Sequence, residues 1–511
     1  MENLFMNALK NATNIKETEN GAIAHKSTNS AVYDLFAFGG AYRSRRDEDC
    51  ILLFKKAYEE NPTLAVKCLF YLRDARGGQG ERRFFRLAFN WLANNYQLHA
   101  KDLLGYLPEY GRYDDLWYAT ENTPLFKDVI NIIKTQLILD LDSKTPSLLA
   151  KWLPSENTSS YDTRKMANKI VNELQISHKQ YRKYLSLLRE KIRVVEKLMS
   201  ENRWNEIEFD KIPSKAGLIY KNAFARRDLI AKKYKNFIES EDTKVNAKVL
   251  YPYEIVSRVS DSMDWWSDQP KLTDLDKKIL EKYWENLPNY FEGGRNQNIL
   301  CVVDTSGSMT THDKKTVRPI DVAISLGMYA GERCTGPFKN NYISFSAQPK
   351  LIHIEGINFV DKVARIYRQN LCENTNLTGV FDMLKEVALS TPGAAADLPS
   401  TIVVISDMEI DDGARGYTCR YSTNTFKSWT TESAATEMEK IRQEWAAVGL
   451  RLPNLVYWNV SARNNTMLDS GDSVSFVSGC SPVIFQQVVK GVKGIELMME
   501  ILESDRYKDI K

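Results

Sequence analysis

The stretch CVVDTSGSMTTHDKKT, Cys301–Thr316, decides the fold. Apolar residues run straight into Asp304, Ser306 and Ser308, one carboxylate and two hydroxyls spaced two positions apart. The apolar run starts at Ile299 as ILCVVD, with the length and β-branched content of a buried strand. Further runs of the same kind follow: NYISFS at 341–346, TIVVISD at 401–407, NLVYWNV at 454–460 and VSFVSG at 474–479. KLIHIEG, 350–356, reads as an edge strand. Between them lie helical stretches, among them IDVAISLGMYAGERC, GVFDMLKEVAL, ESAATEMEKIRQEWAAVG and VIFQQVVKGVKGIELMMEIL. Strands alternating with helices predict a Rossmann-like α/β domain whose largely parallel sheet is covered on both faces.

In such sheets ligands bind outside the carboxyl ends of the strands. DTSGSM falls at one of those ends. Asp304, Ser306 and Ser308 offer hard oxygen donors, the ligand type of Mg²⁺ or Mn²⁺. Gly307 lets the loop turn tightly. Thr375, just before a helix in ENTNLTGVFDML, and Asp407, at the end of TIVVISD, bring two more oxygens to the same edge. Hydroxyl ligands add no formal charge, so a bound cation stays electrophilic and can take a carboxylate or phosphate oxygen from a partner.

These residues carry a resemblance. Asp304, Ser306, Ser308, Thr375 and Asp407 match, in order and spacing, the metal-ion-dependent adhesion site of the von Willebrand factor A domain, over about residues 297–505. The second Thr of the family pattern is missing after Thr375. The resemblance implies a Mg²⁺ or Mn²⁺ cofactor, a protein partner that supplies a carboxylate, and adhesion in place of turnover. No His or Lys is obviously poised beside the loop as a base, and His312, near in sequence, reads as a solvated loop residue.

Upstream the pattern changes. Residues 1–30 are rich in Asn, Thr and Lys and read as a mobile arm. Residues 31–292 are mostly helical in spacing and predict an α-helical, HEAT-like repeat module. Leu64, Lys67, Cys68 and Tyr71 form one helical stripe. RGGQGE, Arg76–Glu81, then breaks the chain before a second helix in RRFFRLAFNWLANN. The turn has no Walker spacing and no preceding strand, so it joins two helices. The clearest helix is Ser177–Ser200, capped by Ser177, with Tyr181, Tyr184, Leu185 and Leu188 on its apolar face.

Charge is uneven along the chain. Residues 161–250 hold 21 Lys/Arg against 12 Asp/Glu, whereas 299–511 hold 22 against 25. The basic stretch predicts an anionic partner. Its phosphate-contact candidates are Arg164, Lys165, Lys169, Lys179, Arg182, Lys183, Lys215, Lys221, Arg226 and Arg227. Tyr181, Tyr184 and Tyr220 are interleaved with them, the first two placed to pack.

YLRDARGGQGERRFFR (71–86), LPEYGRYDDLW (107–117), SHKQYRKYLSLLR (177–189) and IPSKAGLIYKNAFARRD (212–228) resemble the ring-shaped helical module of the Ro autoantigen, the TROVE module. More closely, they resemble an uncharacterised family that pairs such a module with a von Willebrand A domain. The resemblance implies a ring that holds single-stranded or end-exposed RNA. It adds His178, in the SHK segment, to the RNA-contact candidates.

Length and composition set the limits. With 511 residues the chain exceeds one ordinary core. Apolar content of 43% and charged content of 26% are globular values, and a net charge of +3 is no polycation. Seven scattered cysteines without CxxC spacing argue against zinc and against a disulfide framework. The polar amino terminus has no signal core, and no apolar run reaches membrane-spanning length. The expectation is a monomeric, cytoplasmic, non-enzymatic ribonucleoprotein component resembling Ro. Its rivals are a metal-dependent protein-adhesion scaffold without an RNA role and a metal-dependent phosphodiesterase.

Overall fold

The five apolar runs are strands, and KLIHIEG supplies the sixth. A computed structural model describes residues 14–263, 270–294, 298–310, 317–345, 348–369, 375–410, 436–469 and 474–511. The chain forms two compact units. One comprises residues up to Cys68 together with Leu250–Asp509, and the other is Leu69–Val249.

The first unit holds two sheets. A hairpin pairs β1 (Ile15–Glu17) with β2 (Ile23–His25). The main sheet contains β3 (Ile299–Asp304), β4 (Asn341–Phe345), β5 (Lys350–His353), β6 (Thr401–Ser406), β7 (Asn454–Asn459) and β8 (Val474–Ser478). Its order is β5-β4-β3-β6-β7-β8, parallel throughout except for β5, which runs antiparallel to β4 at the edge. Register is set by pairs such as Val302 with Ile343, Cys301 with Val403 and Tyr457 with Phe476. Every residue of β3, β6 and β8 is buried, which is why β3 and β6 read as near-continuous apolar runs; in β8 two buried serines, Ser475 and Ser478, interrupt the run. Helix Pro319–Arg333 lies against β3, β4 and β6. Gly327 allows that approach, because a Cβ there would stand 2.6 Å from Val303 Cγ2.

The amino-terminal segment belongs to this unit. Residues 14–30 were expected to be mobile, but the hairpin docks: Thr18 Oγ1 donates to the Ile410 carbonyl at 2.7 Å, and Glu19 N donates to Glu409 Oε2 at 2.8 Å. A short polar hairpin is not stable alone, so these distant partners supply its order. Residues 1–13 of the expected arm lie outside the described residues. Helix Ala31–Gly39 packs on β8. Tyr33 Oη accepts from Phe476 N at 2.9 Å, and Gly40 N donates to Ser478 Oγ at 2.9 Å. Its sequence, AVYDLFAFG, is apolar almost all round, which suits a helix buried on more than one side. Helices Pro252–Ser260 and Asp274–Glu285, expected within the helical module, also lie in this unit. They pack on Pro319–Arg333 and Phe359–Gln369.

The second unit is helical. Arg82–Asn95 packs on Tyr113–Thr120, which packs on Phe126–Asp142; that helix meets Tyr161–Leu174 and His178–Lys191. Ser214–Arg226 and Asp228–Glu239 form a further pair. RGGQGE is the expected turn. It folds back under its own helix, with Gln79 N on the Tyr71 carbonyl and Glu81 N on that of Leu72. The helix expected over Ser177–Ser200 is two helices, His178–Lys191 and Val195–Ser200. Arg193 adopts a left-handed φ of 49°, and Val194 N closes on the Arg189 carbonyl, ending the first helix. Apolar spacing continues across the break, which hid it. Among the described residues no helix is long and apolar enough to cross a membrane.

Candidate cation site and candidate nucleic-acid interface

β3 and β6 are adjacent and parallel, so their carboxyl ends deliver Asp304 and Asp407 to one place. On its far side β3 pairs with β4, so chain connections leave in both directions here, the crevice where α/β sheets bind ligands. Asp304 is fully buried. One carboxylate oxygen accepts from Ser306 N at 2.9 Å and the other from Ser406 Oγ at 2.5 Å. Ser306 Oγ and Ser308 Oγ are 3.1 Å apart, and the Ser308 hydroxyl bonds to Asp407. Burial, and then the charge of Asp407, push the Asp304 pKa up. Burial raises that of Asp407 as well, against the pull of Arg463. Two carboxylates in one dry place repel, and a cation relieves that repulsion.

The donor set fits a hard cation: two hydroxyls at bonding distance from one another, beside two desolvated carboxylates. Both Asp304 oxygens already have protein donors, which suits a role through an intervening water. Thr375 is buried two residues before helix Leu377–Ser390, while residues 370–374 and His312 lie outside the described residues. Among the described residues no group of three or more His, Cys, Asp or Glu side chains is placed to hold a metal. The candidate set is hydroxyl-rich and does not depend on such a group.

One site residue was missed. Arg463 Nη2 donates to Asp407 Oδ2 at 2.9 Å, while its Nη1 meets Glu19 Oε2 of the hairpin at the same distance. Arg463 lies four residues past β7, at the carboxyl end of a parallel neighbour of β6. That position was the available signal.

In the helical unit the basic candidates divide. Lys165, Lys179, Lys183 and Arg226 are exposed and have no carboxylate partner among the described residues. His178 Nδ1 and Arg182 Nη1 both bond Glu156, whose side chain is nearly buried. Arg164 bonds the Thr158 carbonyl. Lys169 Nζ lies 3.6 Å from Glu121 and 4.4 Å from the centre of the Phe126 ring. Arg227 stacks on Trp204 at 4.8 Å, and Lys215 is half-buried. Lys221 is buried, with Nζ on Asn222 Oδ1 at 3.2 Å, and so is not placed as the surface contact expected. Its position on the inward side of helix Ser214–Arg226 is the reason. Tyr181 packs as expected, its hydroxyl on the Pro154 carbonyl.

Two family models match this chain. Residues 18–168 and 125–291 match the domain of unknown function DUF2828, and residues 298–507 match the domain of unknown function DUF7788. The DUF2828 matches span more than half of the chain, so the protein belongs to that family. Among individual proteins it is similar to uncharacterized protein L728 of Acanthamoeba polyphaga mimivirus. The two are 27% identical over 537 residues, covering 96% of this chain and 87% of the viral protein. Among solved structures it is similar to the crystal structure of the Deinococcus radiodurans RO (RSR) protein. The TM-score is 0.47 at 14% identity, over 91% of this chain and 100% of that one.

Proposed function

We propose that the protein binds single-stranded or end-exposed RNA through its helical unit, without turnover. The observation that carries this reading is the set of exposed cations on consecutive helices that have no carboxylate partner among the described residues: Lys165 on Tyr161–Leu174, and Lys179 and Lys183 on His178–Lys191. Nearby charges behave differently. Arg203 meets Glu190, Glu201 and Glu206, and Lys197 meets Glu190 and Glu201, so the stretch after Lys191 is largely self-neutralised. Lysines left without partners are positioned for phosphates, which fix a strand in place without reading its bases. The resemblance of the SHK segment to Ro supports the same ligand.

The α/β unit adds a second binding function in this reading. Ser306, Ser308 and Thr375 would hold Mg²⁺ or Mn²⁺, with Asp304 and Asp407 acting directly or through water. Such an ion would supply an exchangeable position for a partner's carboxylate or phosphate oxygen.

The test is the triple variant Lys165→Glu/Lys179→Glu/Lys183→Glu in the full chain. These side chains make no ion pairs among the described residues, so folding should be retained. Fluorescence anisotropy with single-stranded RNA should show weaker binding to all sequences alike. The log–log salt slope should become shallower by about 0.7 for each lost phosphate contact. Wild-type affinity in a folded triple variant would remove this surface. Absence of RNA binding by the wild type at about 50 mM salt, where phosphate contacts are strong, would remove the RNA reading.

A further inference from the structure

The RGGQGERR and YGRYDD segments build a charge cluster that the proposed RNA surface does not use. Arg73 binds Asp115 Oδ2 through Nε at 2.8 Å and Nη2 at 2.6 Å. Arg86 takes Asp115 Oδ1 and Asp114 Oδ2, both at 2.8 Å. Both oxygens of Asp115 are thereby occupied, while Asp114 keeps its buried Oδ1 without a hydrogen-bond partner among the described residues. The packing leaves no slack, since a Cβ on Gly111 would stand 2.3 Å from Asp115 Oδ2 and 2.9 Å from Arg73 Nε.

Three cations remain around this scaffold: Arg82, Arg112 and Lys151. None has a carboxylate within ion-pair distance among the described residues. The Arg112 guanidinium lies 4.4 Å over the Trp152 ring, and Lys151 Nζ lies 5.7 Å from the centre of the same ring. Glu196 is the acid that acts on Lys151, and its carboxylate already accepts from the Tyr220 hydroxyl at 3.2 Å. Arg82 acts on Arg112 and Arg112 on Lys151, while Asp114 and Asp115 act on Arg82 and Arg112 in the opposite sense. Burial, and then the charge of Arg82, lower the Arg112 pKa to about 10; burial is the main cause of the lower Lys151 pKa, to which Arg112 adds. Arg82 is open to solvent, yet the protein around it desolvates it enough to lower its pKa.

We propose that Arg82, Arg112 and Lys151 form a phosphate-binding site in the helical unit. Held-together, half-desolvated cations are costly unless an anion completes them. A phosphate has the charge and the number of acceptor oxygens for two guanidinium forks and an ammonium. Trp152 fixes Arg112 in place before the ligand arrives. The site does not depend on the proposed RNA surface and shares no residue with it. The phosphate could belong to an RNA strand end or to a free nucleotide.

Equilibrium dialysis of the full chain against labelled inorganic pyrophosphate tests the site. Wild-type protein should bind saturably. Arg82→Gln should weaken binding about tenfold, and Arg82→Gln/Lys151→Gln by more, on the scale of charge-assisted hydrogen bonds lost. The Lys165→Glu/Lys179→Glu/Lys183→Glu variant should bind pyrophosphate as the wild type does, even if it loses RNA. Competition by 5′-phosphorylated but not 5′-hydroxyl RNA would identify a strand end as the source. Competition by a nucleoside monophosphate would identify a nucleotide, and either supports the site. Because Arg82 is exposed and makes no ion pair among the described residues, Arg82→Gln alone should stay folded and decides the matter if the double variant does not. No saturable binding by the wild type, or equal binding by folded Arg82→Gln, overturns the proposal.

Discussion

Gly40→Ala probes whether the amino-terminal helix completes the α/β unit. Gly40 has φ −70°, so alanine meets no backbone strain there. The new methyl would nevertheless stand 2.7 Å from the Ser478 carbonyl oxygen, 2.8 Å from its carbon and 2.9 Å from Gly479 N. All three are backbone atoms at the end of β8, and no flexible side chain can move aside. Overpacking of this kind costs about 1–3 kcal/mol. Alanine also stiffens the unfolded chain, which returns about 0.4–1 kcal/mol. The net expectation is destabilisation by about 1–2 kcal/mol, together with strain on the Gly40 N to Ser478 Oγ hydrogen bond. Urea unfolding followed by near-ultraviolet circular dichroism measures it. Gly105→Ala is the control, since its methyl would meet nothing within 4 Å. Gly40→Ala as stable as that control would mean that helix Ala31–Gly39 does not dock on β8, and the assignment of residues 14–68 to this unit would fall with it.

Ser306→Ala/Ser308→Ala in the full chain should abolish calorimetric Mg²⁺ or Mn²⁺ binding while the melting temperature without metal stays near that of the wild type; equal metal uptake would exclude the hydroxyls as ligands. Arg73→Met should destabilise the helical unit by about 3–5 kcal/mol, the usual cost of breaking a buried ion pair, because it strips Asp115 Oδ2 of its main side-chain donor. Near-native urea stability in that variant would refute the scaffold role given to the pair.

The sheet was readable because strands buried on both faces are mostly apolar, with only isolated serines such as Ser344 and Ser475 inside them. Position at the carboxyl ends of β3 and β6 then made Asp304, Ser306, Ser308 and Asp407 legible as a group. The hairpin was not legible, because IKETENGAIAH has little apolar content and takes its order from Glu409 and Ile410. Arg463 was hidden for a related reason, since its partners Asp407 and Glu19 lie far from it in sequence. The break at Arg193 escaped because a left-handed residue there is neither Gly nor Asn. Charge counting overstated the basic surface, because it could not register Glu156 between His178 and Arg182 or the burial of Lys221.

The chain enters the α/β unit, leaves it at Cys68 and returns at Leu250. That path imposes an order on synthesis. Gly40 finds its partner Ser478 across a separation of 438 residues. At a ribosomal rate of roughly 5–20 residues per second, helix Ala31–Gly39 waits about 20–90 s before β8 exists. The helical unit, contiguous in sequence, can fold during that interval, whereas the sheet cannot close. Through this period an apolar helix is without its seat, which is the state that holdase chaperones recognise. A circular permutant that begins at Leu250 and joins Lys511 to residue 14 would shorten the wait, and pulse proteolysis of nascent chains would register the difference.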